Sequence, residues 1–490
     1  MLFNSFAFVI LFLVTFFIYY IPAFQKSQVI ILIVSSLIFY SWKFPQLLIL
    51  LLLSILVNSI ISFNIVSDRN FRAIAWIATG VAFNLSLLIF FKYGTLLTDL
   101  TINFLRIESN DIVSFLLHLP LPLGISFYTF EGISLIVDIF RNQSNQKQVS
   151  FIDRKFTNHL LNTSFFISFF PHLIAGPILK ANNFYPQIQP KYFSQISWNL
   201  VFRSLVVGYF LKMVIADNLK DYTFWIAHPY YQLLSTSTGI LLLFGYSIQI
   251  FADFAGYSLI AIGTAAVFGY NLPQNFNFPY ISRSLSEFWK RWHISLSTWL
   301  KDYLYIPLGG NRRGELRTYV NLMIVMILGG LWHGASLSYA VWGGFHGVGL
   351  VIERFFTNQI NNKFNKTIKV WQQFILDMIR IIIVFCFVSL GWLLFKLPNF
   401  GQVLEFLKIM IHNVEVPPNR TLTDPVIILS IPVVVYHIIH LPALQMWKDK
   451  FFYKAYSKVG NLFEDIILGG MIFMIVLSSG SSNEFIYFQF

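Results

Sequence analysis

Apolar runs close to twenty residues long recur along the whole chain, separated by short polar links. They fall at 5–24, 28–42, 45–66, 73–97, 121–140, 158–178, 198–216, 238–268, 318–345, 371–395, 423–442 and 466–480. Crossing a hydrocarbon core of about 30 Å takes roughly 20 helical residues. The pattern therefore predicts an all-α polytopic membrane protein, with one membrane-embedded domain over 1–490. Several runs are too short, or too broken by Gly and Pro, to cross unaided, so about nine to twelve true spans are expected, with re-entrant or interfacial pieces for the rest. The first run, Phe6 to Tyr20, lacks the charged leader and small-residue cleavage site of a signal peptide, and reads as a spanning helix.

Charge sets the expected orientation, because cytoplasmic loops are enriched in Lys and Arg. Arg141, Lys147, Arg154 and Lys155 follow the fifth run, which puts that link inside and the N-terminus outside; the link with Arg69 and Arg72 then also falls inside. Further basic links lie at 283–317, 354–369 and 448–458. Two runs separate the last pair and keep both inside. Only the run 318–345 separates the first pair, so a simple crossing would put them on opposite faces. That run contains Gly329, Gly330, Gly334, Gly343 and Gly344. If it enters, breaks near His333 and returns, the parity closes. A similar argument makes the stretch with Pro171, Gly176 and Pro177 non-spanning. The last run then delivers the tail Glu484 to Phe490 to the outer face.

Composition narrows the function classes. The chain is 56% hydrophobic and 11% charged, far below the roughly 25% charged residues of soluble chains. Its net charge of +12 is accounted for by basic cytoplasmic links and implies no nucleic-acid partner; the excess also suits anionic headgroups or a phosphate-bearing donor. The one cysteine, Cys386, sits in an apolar run, which excludes an internal disulfide and disfavours a thiolate nucleophile. His333 and His346 are spaced unlike any metal-ligand pattern, so no metal is expected.

The candidate chemistry centres on His333, an ionisable ring inside an apolar run and hence a functional-site candidate. A neutral imidazole can take a proton from a hydroxyl, whose oxygen can then attack an acyl thioester. The chain has no Gly-x-Ser-x-Gly elbow, so direct transfer with His333 as base is the simpler mechanism. His293 sits among Trp289, Trp292, Lys290 and Arg291, as a catalytic partner or an interfacial anchor. Lys301 and Asp302 are candidates for orienting a histidine or the donor, or for a plain ion pair. Arg312 and Arg313, beside Gly309, Gly310 and Gly314, have the composition of a phosphate cradle and equally of a turn. The acids Glu131, Asp138 and Asp253 in apolar runs either line a reaction cavity or bond across helices.

Phe288-Trp289-Lys290-Arg291-Trp292-His293-Ile294-Ser295-Leu296-Ser297, the link Trp299 to Gly310 and Leu331-Trp332-His333-Gly334 together resemble the signature of membrane-bound O-acyltransferases. The match is best to the AlgI-like alginate O-acetylation branch, with D-alanyl transferases and peptidoglycan O-acetyltransferases as relatives. Leu121 to Phe127, Pro171 to Pro177 and Asp253 to Ser258 add supporting matches. The chain departs from that branch at Lys301, where Arg is common. The resemblance implies a ring of tilted helices around a thin centre, where an outer funnel meets a cytoplasmic tunnel. It implies His333 as the essential histidine, His293 as a supporting one, and a cytoplasmic acyl thioester, acetyl-CoA, as co-substrate with no bound cofactor. It also implies an extracytoplasmic SGNH-type esterase-fold partner acting on a polysaccharide. The tail resembles an aromatic Tyr motif of the D-alanylation systems, which makes Tyr487 a candidate covalent acyl relay, with an interfacial anchor as the alternative. A transporter or lipid flippase would also bury ionisable groups, but should carry repeat symmetry between its halves, and the sequence shows none.

Overall fold

The computed structural model describes residues 1–67, 71–105, 122–144, 155–361, 369–397, 399–442 and 456–478. Among them every regular element is helical. The chain divides into two compact units, Met1–Phe202 with Ile260–Pro273, and Arg203–Leu259 with Gln274–Phe490.

The first unit holds α1 (Phe6–Tyr19), α2 (Gln28–Ser41), α3 (Leu48–Ser67), α4 (Phe71–Leu105), α5 (Ile125–Ser144) and α6 (Phe156–Ser168). α5 is its core element, burying Phe127, Tyr128, Ile133, Leu135, Ile136 and Ile139, while Ile74, Leu85, Ile89 and Phe90 of α4 stay exposed as a lipid-facing stripe would. Polar groups inside this unit pair across helices, since an unsatisfied one in hydrocarbon is costly. Asn58 on α3 and Asn84 on α4 exchange amide bonds at 3.3 and 2.8 Å. Ser62 Oγ lies 2.7 Å from His159 Nε2. Beyond α6 the stretch with Pro171, Gly176 and Pro177 makes one helical turn, Phe170–Leu173, and then runs irregularly to Lys180, buried for most of its length.

Next come α7 (Trp198–Tyr209), a π-helical stretch Phe210–Ala216, α8 (Asp217–Thr223) and the long α9 (Thr236–Val267), whose residues from Ile260 belong to the first unit. The rest of the second unit is α10 (Leu285–Arg291), α11 (Ile294–Leu300), α12 (Glu315–His333), α13 (Leu337–Asn361), α14 (Val370–Lys396), α15 (Phe400–His412), α16 (Arg420–Ile438) and α17 (Tyr456–Ser478). Trp292, Trp342, Trp392, Tyr246 and Tyr280 dominate its buried core.

Seven described helical stretches are long and apolar enough to cross a membrane, fewer than the nine to twelve expected. Two reasons are plain. α1 has 14 residues, and the run 318–345 is divided between α12 and α13. These two helices form a tight antiparallel hairpin. A Cβ on Gly330 would run into the Tyr339 carbonyl, one on Gly343 into the Met326 carbonyl, and one on Gly347 would lie 2.8 Å from Met323 Sδ. Partners thus descend one arm as they ascend the other. The backbones approach this closely because no side chain stands between them. At the open end Arg354 closes the pair with a bidentate contact to Glu315, Nε to Oε2 at 2.8 Å and Nη2 to Oε1 at 2.9 Å. The chain breaks directly after His333, where Gly334 is fully extended.

Candidate active site

The hairpin tip sets the place of His333. It is the last residue of α12, buried to 7% exposure, and its ring meets Trp332, Trp342 and Phe395 edge-on at 5.0, 5.2 and 5.3 Å. His333 also lines a cavity of about 340 Å³. Leu322, Val325, Met326, Gly329 and His333 all line it, and their three- and four-residue spacing places them on one face of α12. Opposite stand Ser286, Trp289 and Lys290 of α10, Leu296, Ser297 and Leu300 of α11, and Lys301. Trp342, Leu350 and Arg354 of α13 complete the wall. The lining therefore reaches from Arg354, at the open end of the hairpin, to His333 at its tip. At 1.5 Å of rise per residue the helix between these levels is roughly 27 Å long. The cavity combines apolar walls, three cations and one imidazole.

His293 occupies a different position. It joins α10 to α11 in the left-handed region, with φ 42° and ψ 56°, a conformation that non-glycine residues hold only when their surroundings force it. Asn275 supplies part of that force: its carbonyl accepts from Ile294 N at 2.9 Å and its Oδ1 from Ser295 Oγ at 2.6 Å. The His293 ring is buried, meets Phe254 edge-on at 4.6 Å and Trp332 at 5.9 Å, and is not part of the cavity wall. The two histidines of the motif thus share one neighbour, the Trp332 indole.

α10 is held by charge at the surface. Arg291 Nε donates to Glu287 Oε1 at 3.0 Å, and the Arg283 amide donates to Glu287 Oε2 at 2.9 Å. Burial raises the Glu287 pKa, but the Arg283 amide and the Arg291 guanidinium outweigh it and hold the carboxyl below its usual range.

Other residues singled out in the sequence land as follows. Lys301 begins a π-helical turn, Lys301–Tyr305, and faces the cavity; Asp302 is half-buried in the same turn and is not in the wall. Arg312 and Arg313 are exposed on a turn with Gly309, Gly310 and Gly314 at positive φ and are not in the wall of this cavity. The turn is built for its own closure: Asn321 Nδ2 donates to the Gly310 carbonyl at 2.9 Å. Asp253 is not in the wall of this cavity either. It pairs at 2.7 Å with the buried Lys212, which also holds Asp217 at 2.7 Å. Glu131, in the first unit, pairs at 2.9 Å with the wholly buried His172, so it too bonds across elements instead of lining this cavity. Asp138 is buried. His346 packs among Phe288, Trp289, Trp342, Phe345 and Phe387. Tyr487 lies outside the described residues.

Sequence reasoning did not assign Lys290, Trp289, Trp342 or Arg354 to the site. The glycines at 330, 343 and 347 that let α13 return against α12 carry the signal for Trp342 and Arg354, because they and the Glu315–Arg354 pair bring both onto the hairpin that bears His333.

Residues 34–395 match the family model described as MBOAT, membrane-bound O-acyltransferase family. The chain is 36% identical to a probable alginate O-acetylase AlgI of Pseudomonas aeruginosa, over 81% of this chain and 72% of that protein. It is 35% identical to a peptidoglycan O-acetyltransferase of Helicobacter pylori, over 84% of this chain and 80% of that one. With a teichoic acid D-alanyltransferase of Bacillus subtilis it shares 30% identity over 56% of this chain and 68% of the other.

Proposed function

The chain belongs to the membrane-bound O-acyltransferase family, and from that premise we propose that it moves an acetyl group from cytoplasmic acetyl-CoA across the bacterial inner membrane, for O-acetylation of an extracytoplasmic polysaccharide. It is an O-acyltransferase and a multi-pass membrane protein. The observation that carries the proposal is the cavity with Lys290, Lys301 and Arg354 in its wall and His333 at the hairpin tip. Cations suit the phosphates of a nucleotide thioester, and apolar walls exclude water from the reactive carbonyl.

In the proposed step a hydroxyl gives its proton to the His333 ring as its oxygen bonds to the thioester carbonyl carbon. The carbon–sulfur bond then breaks, and the leaving thiolate takes the proton back from the ring. The products are an ester and a free thiol, with the imidazole restored. His293 has a supporting role, bracing Trp332 edge-on at 5.9 Å.

Two contacts support the direction of transfer. The Glu315–Arg354 pair puts the basic links 283–317 and 354–369 at one end of the hairpin, which fits a cytoplasmic mouth. α17 follows the basic stretch 448–458 and runs from α7 to α8, with Glu464 on Arg203 of α7 and the Ser478 carbonyl on Asn218 of α8, which fits an outward-going last helix. An SGNH-type partner outside the membrane would complete delivery, with Tyr487 as the proposed relay. The relatives' names offer alginate and peptidoglycan as acceptors; both present sugar hydroxyls, and both fit the same chemistry.

Purified protein supplied with acetyl-labelled acetyl-CoA tests the reading. Label is expected to leave CoA, and His333→Ala is expected to slow that release by about 10²- to 10⁴-fold, the usual worth of a general base. Unchanged release in His333→Ala would overturn it. For the relay, mass spectrometry of the C-terminal peptide should find an acetyl adduct; an unmodified peptide with full activity of Tyr487→Phe ends that part.

A further inference from the structure

The cavity wall is made by short helices that have little stability of their own. α10 has seven residues, too few to stand as an isolated helix in water, yet it presents Ser286, Trp289 and Lys290 to the cavity. A helix start leaves its first four amides without intrahelical acceptors, so what satisfies them decides where α10 sits. Phe288 N closes the first helical bond on the Ser284 carbonyl at 2.9 Å, and Glu287 N donates to Ser284 Oγ at 3.0 Å. Both of those acceptors are local. The amides of Leu285 and Ser286 donate instead to the carboxylate of Glu353, the second at 3.1 Å to Oε1 and the first to Oε2.

Glu353 comes from α13, the returning arm of the hairpin that bears His333. One helical turn earlier, Gly349 lies so close to α10 that an added Cβ would be 2.7 Å from Leu285 Cδ1. The next residue, Arg354, lines the cavity and clasps Glu315. Two adjacent side chains of α13 therefore fix two different partners: Arg354 fixes the hairpin's own open end, and Glu353 fixes the separate helix that forms the facing wall.

We propose that Glu353 is a positioning residue, whose carboxylate holds the start of α10 on the hairpin and so sets Trp289 and Lys290 in register with His333. This rests on the acyltransferase reading for its functional consequence. A charged acceptor on two amides is stronger than a neutral one, and the conservative Glu353→Gln keeps one acceptor oxygen where Glu353→Ala keeps none.

The test uses the full chain in detergent micelles or nanodiscs, as wild type, Glu353→Gln and Glu353→Ala. Hydrogen–deuterium exchange of the peptide covering 283–292 reads the position of α10 without reference to activity. Exchange there is expected to rise about tenfold in Glu353→Ala and less in Glu353→Gln, with α12 and α14 unchanged. With acetyl-CoA as the donor probe, its KM is expected to rise about tenfold in Glu353→Ala while kcat changes less, with partial rescue in Glu353→Gln. A general loss of stability would instead speed exchange along the whole chain. Exchange confined to its wild-type rate in 283–292, or equal loss of kcat in both variants with KM unmoved, overturns the proposal. If wild type releases nothing from acetyl-CoA, the donor reading fails, and the exchange result still decides what Glu353 does. Should Glu353→Ala not fold, the Glu353→Gln comparison stands by itself, and wild-type exchange in that variant counts against the proposal.

Discussion

Two buried histidines, one in each unit, show how differently the fold treats the same side chain. His172 is wholly enclosed and has a carboxylate, Glu131, at 2.9 Å, with Phe169 and Phe184 against its ring. His333 is buried almost as well but ends a helix at a backbone break, among aromatic edges, and lines a cavity of about 340 Å³. The first is tied into packing on every described side, whereas the second is held in orientation by rings that leave one flank on open space. Burial alone therefore says little about which histidine works. The contrast favours His333 over His172 as the proposed reactive group, and it can be broken from either side.

The largest expected effect separates activity from stability at His333. His333→Ala should cost about 10²- to 10⁴-fold in acetyl transfer, while its melting temperature in detergent moves by only a few degrees, because the cavity already adjoins the site. The reverse is expected at the paired histidine. Glu131→Ala leaves a buried partner without its carboxylate and should destabilise the protein by about 1–3 kcal/mol, seen as lowered melting or yield, with activity per folded molecule near wild type. If Glu131→Ala lost transfer but kept its melting temperature, the two sites would have to be treated alike.

A smaller effect is expected in the hairpin that carries His333. Gly330→Ala forces a methyl against the Tyr339 carbonyl and should cost about 1–3 kcal/mol of stability, measurable by thermal melting. Lys290→Ala and Lys301→Ala change the cavity wall without touching the ring, and each should raise the KM for acetyl-CoA by about three- to tenfold, more at low salt.

The smallest effect concerns pH. Glu287 is held below its ordinary value of 4.5, so its contribution to α10 is fully present above that value and is lost only as pH falls through the lower folded one. Exchange in 283–292 should therefore stay constant from pH 7 to about 5, after correction for intrinsic rates, and rise only under stronger acid. A rise already at pH 6 would exclude Glu287 as the group that matters.

Much of this arrangement is written in the chain. The twelve apolar runs give the membrane class, and the glycines around His333, together with two basic links on either side of one run, require a break and return that the α12–α13 hairpin supplies. His333 stands out as a candidate for the same reason, since an imidazole at a glycine-rich break in an apolar run is a functional-site hypothesis by default. Lys290 and Glu353 are not legible, because their placement depends on how α10 docks on α13, a pairing between residues 67 and 68 positions apart that leaves no local pattern. The partner of Asp253, Lys212, is not legible either, because it is on another helix, inside a π-helical stretch that shifts the register of its side chains. Around Arg312 and Arg313 the glycines take the positive φ angles that a closed turn and an anion cradle share.

On the proposed reading, a cytoplasmic thioester reaches His333 through the cavity between α10, α11 and the hairpin. An experimental structure of the protein bound to a non-hydrolysable acetyl-CoA analogue tests this. The nucleotide phosphates are expected near Lys290, Lys301 or Arg354 and the acyl carbonyl within hydrogen-bonding reach of the His333 ring. An analogue seated elsewhere, with that cavity empty and the ring far from any acyl group, would contradict it.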